Sequence, residues 1–126
     1  MAVASLFAAI ALTLVSTPEQ DRALSDSEAL TRDALLSYVG CVRDRAIEFE
    51  PSGESAEAIA TSAIAACREF RQQAQLVMGL NVIVKNRLSA SDARQIVDRV
   101  LSDVDRDIRN DAVLAVVRAR SLRVSQ

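Results

Sequence analysis

ESAEAIATSAIAACREFRQQAQLV, residues 54–77, carries small or apolar side chains at Ala56, Ala60, Ala63, Cys67, Phe70, Ala74 and Val77. Steps of four and three in alternation place all seven on one stripe of an α-helix. Most of the stripe is Ala, so it predicts a helix that lies close against an antiparallel neighbour. That neighbour is just upstream. Leu35, Tyr38, Val42, Ala46 and Phe49 recur at helical spacing, and Ser25-Asp26-Ser27-Glu28 has the Ser-x-x-Glu form of a capping box. Between the two segments, Pro51-Ser52-Gly53 supplies a helix stop and a turn. The expectation is an all-α fold built on a long antiparallel hairpin of residues 26–50 and 54–86. Gly40 interrupts the first helix at a cost of about 1 kcal/mol relative to Ala, which suggests a close neighbour beside Cys41.

A third helix, about 90–120, follows from a second Ser-x-x-Asp start signal at Ser89 to Asp92. Ala93, Ile96, Val97, Val100, Leu101, Val104 and Ile108 form its apolar stripe, and Asp105 with Arg109 has the spacing of a supporting ion pair. Two stretches, 76–84 (LVMGLNVIV) and 112–117 (AVLAVV), are apolar on every side. Their β-branched residues also allow residues 80–84 and 113–117 to be read as short strands around the third helix. Turn residues for such strands are missing, and helix is the favoured reading. These stretches are also where a partner, a dimer contact or a membrane surface is expected if they are not buried against each other.

Outward from the hairpin, the amino terminus reads as an address. Ala2 to Val15 (AVASLFAAIALTLV) is almost entirely apolar and matches a signal-peptide hydrophobic region, with cleavage near Ser16. No Lys or Arg precedes it. An uncleaved membrane anchor and a buried core helix are the other readings of residues 1–16. Residues 17–25 are expected to be a polar linker and 26–126 the helical domain.

The whole chain has 126 residues, enough for one domain. Half of it is hydrophobic but only 3% is aromatic, so the core must be thin and closely packed. Without His there is no Ser-His-Asp or Cys-His nucleophile, and two Cys cannot build a four-thiolate zinc site. A net charge of −2 gives no footprint for nucleic acid. Acids dominate residues 1–57 (ten against four Arg), and bases dominate the remainder (eleven against seven). Acidic and basic helix faces that meet, or are simply solvated, account for that asymmetry.

Cys41 lies eight residues before Phe49, and Cys67 lies twelve after Ser55. In an antiparallel hairpin their heights differ by about 6 Å, which a sloping turn absorbs. A disulfide is the preferred reading, stabilising the fold by about 3 kcal/mol in the chain-entropy model; two buried thiols and a reactive pair are the alternatives. Tyr38-Val39-Gly40-Cys41, Glu50-Pro51, Ile59-Ala60 and Ala63 to Cys67 together resemble a pattern in uncharacterised small exported all-helical proteins of Gram-negative bacteria with a two-cysteine helical hairpin. That resemblance implies a signal peptide, a helical hairpin and a disulfide. It implies no catalytic residue.

Other candidate sites have simpler explanations. Glu48, Glu50, Glu54 and Glu57 surround the turn without the spacing of a calcium loop, and acids favour a helix start. Tyr38 is expected at the hairpin interface. Arg68 with Arg71, and Arg118 with Arg120 and Arg123, could receive phosphate or acidic lipid, or be solvated helix faces. The expectation is therefore a periplasmic or secreted protein that is not an enzyme, with no cofactor and no metal. It would act as a structural or protein–protein interaction module, through an unknown protein partner or self-association, with membrane contact through residues 1–16 if these are retained. Its alternatives are a carrier of a small hydrophobic ligand or lipid, with a pocket between the third helix and the hairpin, and a cytosolic helical regulator.

Overall fold

The computed structural model describes residues 17–125, and the expected signal peptide lies outside the described residues. Four helices pack together: α1 (Pro18–Phe49), α2 (Ala56–Ala66), α3 (Arg68–Asn86) and α4 (Ala90–Val124). The fold is all-α, and the described residues contain no strand. Residues 80–84 and 113–117 lie inside α3 and α4, so the short-strand reading is incorrect. None of the described helices is long and apolar enough to cross a membrane.

The first helix starts at Pro18, seven residues before Ser25, and the expected linker 17–25 is helical from there. Thr17 provides the physical reason. Its side chain accepts from the Gln20 N–H at 3.3 Å, while the Thr17 N–H donates to Gln20 Oε1 at 3.2 Å, closing a capping box with Pro18 in the first turn. Glu19 and Asp21 in that turn complement the helix dipole. The chain then reverses through a 3-10 turn, Glu50–Ser52, and Gly53 at φ 79°, a left-handed conformation that glycine adopts without strain. Ser55 caps α2 and Ser89 caps α4, each accepting from the N–H three residues on.

The second arm of the hairpin is two helices rather than the single helix 54–86. Cys67, with φ −102° and ψ 20°, stands between α2 and α3. Its N–H reaches the Ala63 and Ile64 carbonyls, and the Arg71 N–H returns to the Cys67 carbonyl. The break moves two of the three inward positions on by one residue, from Phe70 and Val77 to Arg71 and Met78, while Ala74 keeps its place. Ala56, Ala60, Ala63 and Cys67 are buried as the spacing requires, but beyond the break the stripe continues through Arg71, Ala74 and Met78. Phe70, expected on the seam, is exposed at 42%, and Val84, one heptad beyond Val77, at 51%.

Two clusters fill the interior. One joins α1, α2 and α4 through Tyr38, Val42, Ala46, Ile59, Ala60, Ala63, Cys67, Ile108, Ala112 and Val116, with Ala56 at its edge. The other joins α3 and α4 through Met78, Val97 and Leu101, with Leu35 of α1 and Val82 against it. Along α4 the buried positions are Ala93, Val97, Leu101, Ile108, Ala112 and Val116. Ile96 and Val100, expected in that stripe, stand out in solvent at 38% and 40%. At that level Met78, with Leu35 and Val82 beside it, is what packs against Val97 and Leu101.

Candidate functional site

Cys41 and Cys67 form a disulfide, with Cα atoms 6.0 Å apart, tying α1 to the α2–α3 junction. Neither cysteine is a free thiol, which removes the buried-thiol alternative. Gly40 does not admit a neighbour: a methyl group there would meet nothing within 4 Å, so the close-approach expectation is incorrect. The approach of the helices is set instead by the Ala positions of α2 and by Ala46.

One helical turn from the disulfide, a polar group crosses the interior. The fully buried Tyr38 donates its hydroxyl to Asp105 Oδ1 at 2.9 Å. Arg71 donates to the same carboxylate from Nε at 3.0–3.1 Å and from Nη2 at 2.7 Å. Three helices, α1, α3 and α4, are thereby held at one level by charge-assisted, forked hydrogen bonds. Burial, reinforced by the hydrogen bond to Asp105, pushes the Tyr38 phenol well above its ordinary range. The hydrogen bond to Asp105 likewise raises the already high pKa of Arg71. Asp105 does not pair with Arg109 as its spacing suggested; Arg109 donates to Thr61 Oγ1 at 2.7 Å. The signal for the polar group was Asp105 itself, a carboxylate set between Leu101 and Ile108 in an apolar stripe.

Two of the four acidic candidates around the turn are also paired internally, while Glu54 and Glu57 are exposed. Glu50 is 4% exposed and receives Arg123 and Arg120, the latter with Nε at 3.6 Å. Arg45 pairs with Glu48. These contacts make a clamp between the hairpin turn and the last turns of α4, and the described residues contain no cluster of three potential metal ligands. Of the basic candidates, Arg71, Arg120 and Arg123 are thus committed to carboxylates, and Arg68 and Arg118 are exposed.

What remains open is a face. Between α3 and α4 runs a solvent-open groove of about 590 Å³ with Leu76, Gly79, Leu80 and Ile83 on one wall and Ala93 and Val97 on the other. Leu76 and Leu80 are 70% and 63% exposed, far more than buried leucines need. Gln72, Gln75 and Arg94 rim it, and its lining holds no carboxylate, thiol or hydroxyl that could act as an acid, base or nucleophile. Such a surface can bind an apolar segment and orient it through amide and guanidinium donors. The all-round apolar character of residues 76–84 was the sequence signal for it. No family model, curated protein or solved structure matches the chain.

Proposed function

We propose that the chain is an exported helical interaction module of the periplasm, which docks an apolar polypeptide segment in the α3–α4 groove. The observation that carries this reading is the pair Leu76 and Leu80, projecting into solvent beside a groove that the described residues leave unfilled. Three further features support it. The disulfide suits an oxidising compartment, the apolar stretch 2–15 suits export, and the polar interior is neutralised rather than poised for chemistry. A second reading, a carrier for a small apolar ligand or lipid, is favoured by the volume and position of the same groove, between α4 and the hairpin.

The test is a photo-crosslinking amino acid at position 80, used in the native host with osmotic release of the periplasm. A polypeptide adduct on a released, disulfide-bonded chain supports the module, and a lipid-mass adduct supports the carrier. Retention in the cytoplasm with free thiols and an intact Met1 would overturn export.

A further inference from the structure

The outward face of α3 has its own heptad, distinct from the buried stripe. Glu69, Gln73, Leu76, Leu80 and Ile83 follow one another in steps of four, three, four and three, and Arg87, the left-handed C-cap residue just past the end of α3, stands four further on. All but Ile83 are exposed, and Ile83 is half-buried in the groove wall. The series begins on an acid and ends on a base. Among the described residues, neither Glu69 nor Arg87 has an ion-pair partner in its own chain. At 1.5 Å per residue they stand about 27 Å apart, at opposite ends of the helix.

We infer that α3 pairs antiparallel with α3 of a second copy of this chain. The inference rests on the reading of the α3–α4 face as a docking surface and names its occupant. Reversing this heptad about its midpoint places Glu69 opposite Arg87 of the second copy, Leu76 opposite Leu80 and Gln73 opposite Ile83. Each apposition then occurs twice by the two-fold symmetry, as a self-complementary interface requires. The spacing reads the same in both directions, the central leucines match, and the charges at the two ends are complementary. A parallel pairing would set Glu69 against Glu69 and Arg87 against Arg87.

Gly79 is an independent pointer. It sits inside α3, where glycine weakens a helix by about 1 kcal/mol relative to Ala, yet an added methyl group would meet nothing within 4 Å. Nothing among the described residues accounts for it. It lies one residue from the midpoint of the heptad, where two antiparallel helices of a dimer come nearest. The missing side chain lets the second copy's Leu76 and Leu80 seat in the groove floor. Because the contact strip is one helix wide, it falls at the small end of specific interfaces. The dimer is accordingly expected to form at micromolar concentration, with the leucines supplying affinity and the charges fixing orientation.

Sedimentation equilibrium of the purified, disulfide-intact chain from low to high micromolar concentration tests this directly. The wild type is expected to shift from one to two copies. Leu76→Glu should weaken association by at least about tenfold, the loss of a buried leucine at each of two symmetric sites. Glu69→Arg and Arg87→Glu should each weaken it by about three- to tenfold, and the double variant should recover to within about twofold of the wild type. Gly79→Ala should weaken the dimer while raising the thermal stability of the monomer. Circular dichroism of each variant confirms that the fold is retained, as expected for exposed positions. A wild type that stays monomeric throughout, or a dimer indifferent to Leu76→Glu, would overturn the inference. So would a double charge swap that fails to rescue the single swaps.

The crosslinker at position 80 separates this failure from that of the module. An adduct of twice the chain mass supports the dimer. An adduct with a different protein and none with itself overturns the dimer but leaves the docking face. Absence of any adduct overturns both.

Discussion

The two halves of this bundle are built to different densities. Around the disulfide, eleven buried residues, most of them Ala or Val, draw α1, α2 and α4 together. Beyond the break at Cys67, where α3 replaces α2, only Met78, Val97 and Leu101 form the buried cluster. The second half does not lack apolar residues. Leu30, Leu36, Leu76, Leu80, Val84, Ile96 and Val100 all belong to it and all face solvent. Small side chains thus produced the tighter core, while larger ones were left outside a thin one. Close packing depends on how near the backbones can approach, and Ala permits what Leu on a broad face does not. The dense half is the more closely packed, and the sparse half holds much of the apolar surface left in solvent.

The comparison is most exposed at Leu101. It is fully buried in a cluster with few neighbours to rearrange, and Leu101→Ala is expected to cost about 2–5 kcal/mol in a urea unfolding titration. A smaller loss would mean that the sparse half collapses readily onto the space. Removing the disulfide with Cys41→Ala and Cys67→Ala closes no loop of 26 residues and should cost about 3 kcal/mol. Hydrogen exchange should then speed up in α2 and the end of α1 before it does in α3. If α3 responds first, the disulfide braces the sparse half instead.

Where the halves meet, Tyr38→Phe removes one hydrogen bond to Asp105 and leaves the forked Arg71 contact in place. A cost of about 1–2 kcal/mol is expected. The effect also has a pH signature. The fold holds the phenolic proton more tightly than the unfolded chain, where tyrosine titrates near 10. Stability from this group is therefore complete below about pH 10 and declines as pH rises above it. Tyr38 is the single tyrosine, so absorbance of tyrosinate reports that one site, native against urea-unfolded. Overlapping titrations would show that the phenol is not buried as described. The smallest effect expected is Gly40→Ala, a gain of about 0.5–1 kcal/mol in melting experiments, because the helix improves and no neighbour is struck.

Local chemistry was legible from residue order. The Ser89 cap, the Pro51 to Gly53 reversal and the Ala stripe up to Cys67 each depend on a handful of adjacent residues. The pairing of the cysteines followed from the hairpin they sit on. The stripe past Cys67 could not be read in the same way, because one residue outside helical geometry rotates everything after it. That rotation exchanged Phe70 for Arg71 on the inward face, and with Arg71 came the contact to Asp105 and Tyr38, 34 and 33 residues distant on either side. The start of α1 was a rival-signal problem. Both Thr17 to Gln20 and Ser25 to Glu28 have the form of a capping box, and Pro18 at the first helical position favours the earlier one. The exposed apolar face was half legible: an all-round apolar stretch leaves one side in solvent without telling which side the core will take.

The length of α4 has a hydrodynamic consequence. Its 35 residues make a rod about 52 Å long, far from a sphere for so light a chain. Such a rod tumbles slowly and elutes early, so a gel-filtration volume alone overstates its mass. Two rods joined along α3 overlap by only about 28 Å, since that helix has 19 residues at one end of each. The pair would extend rather than thicken, and its disulfide-bearing ends would point away from each other. Small-angle scattering should then show a maximum dimension near 75 Å, about half as long again as one copy.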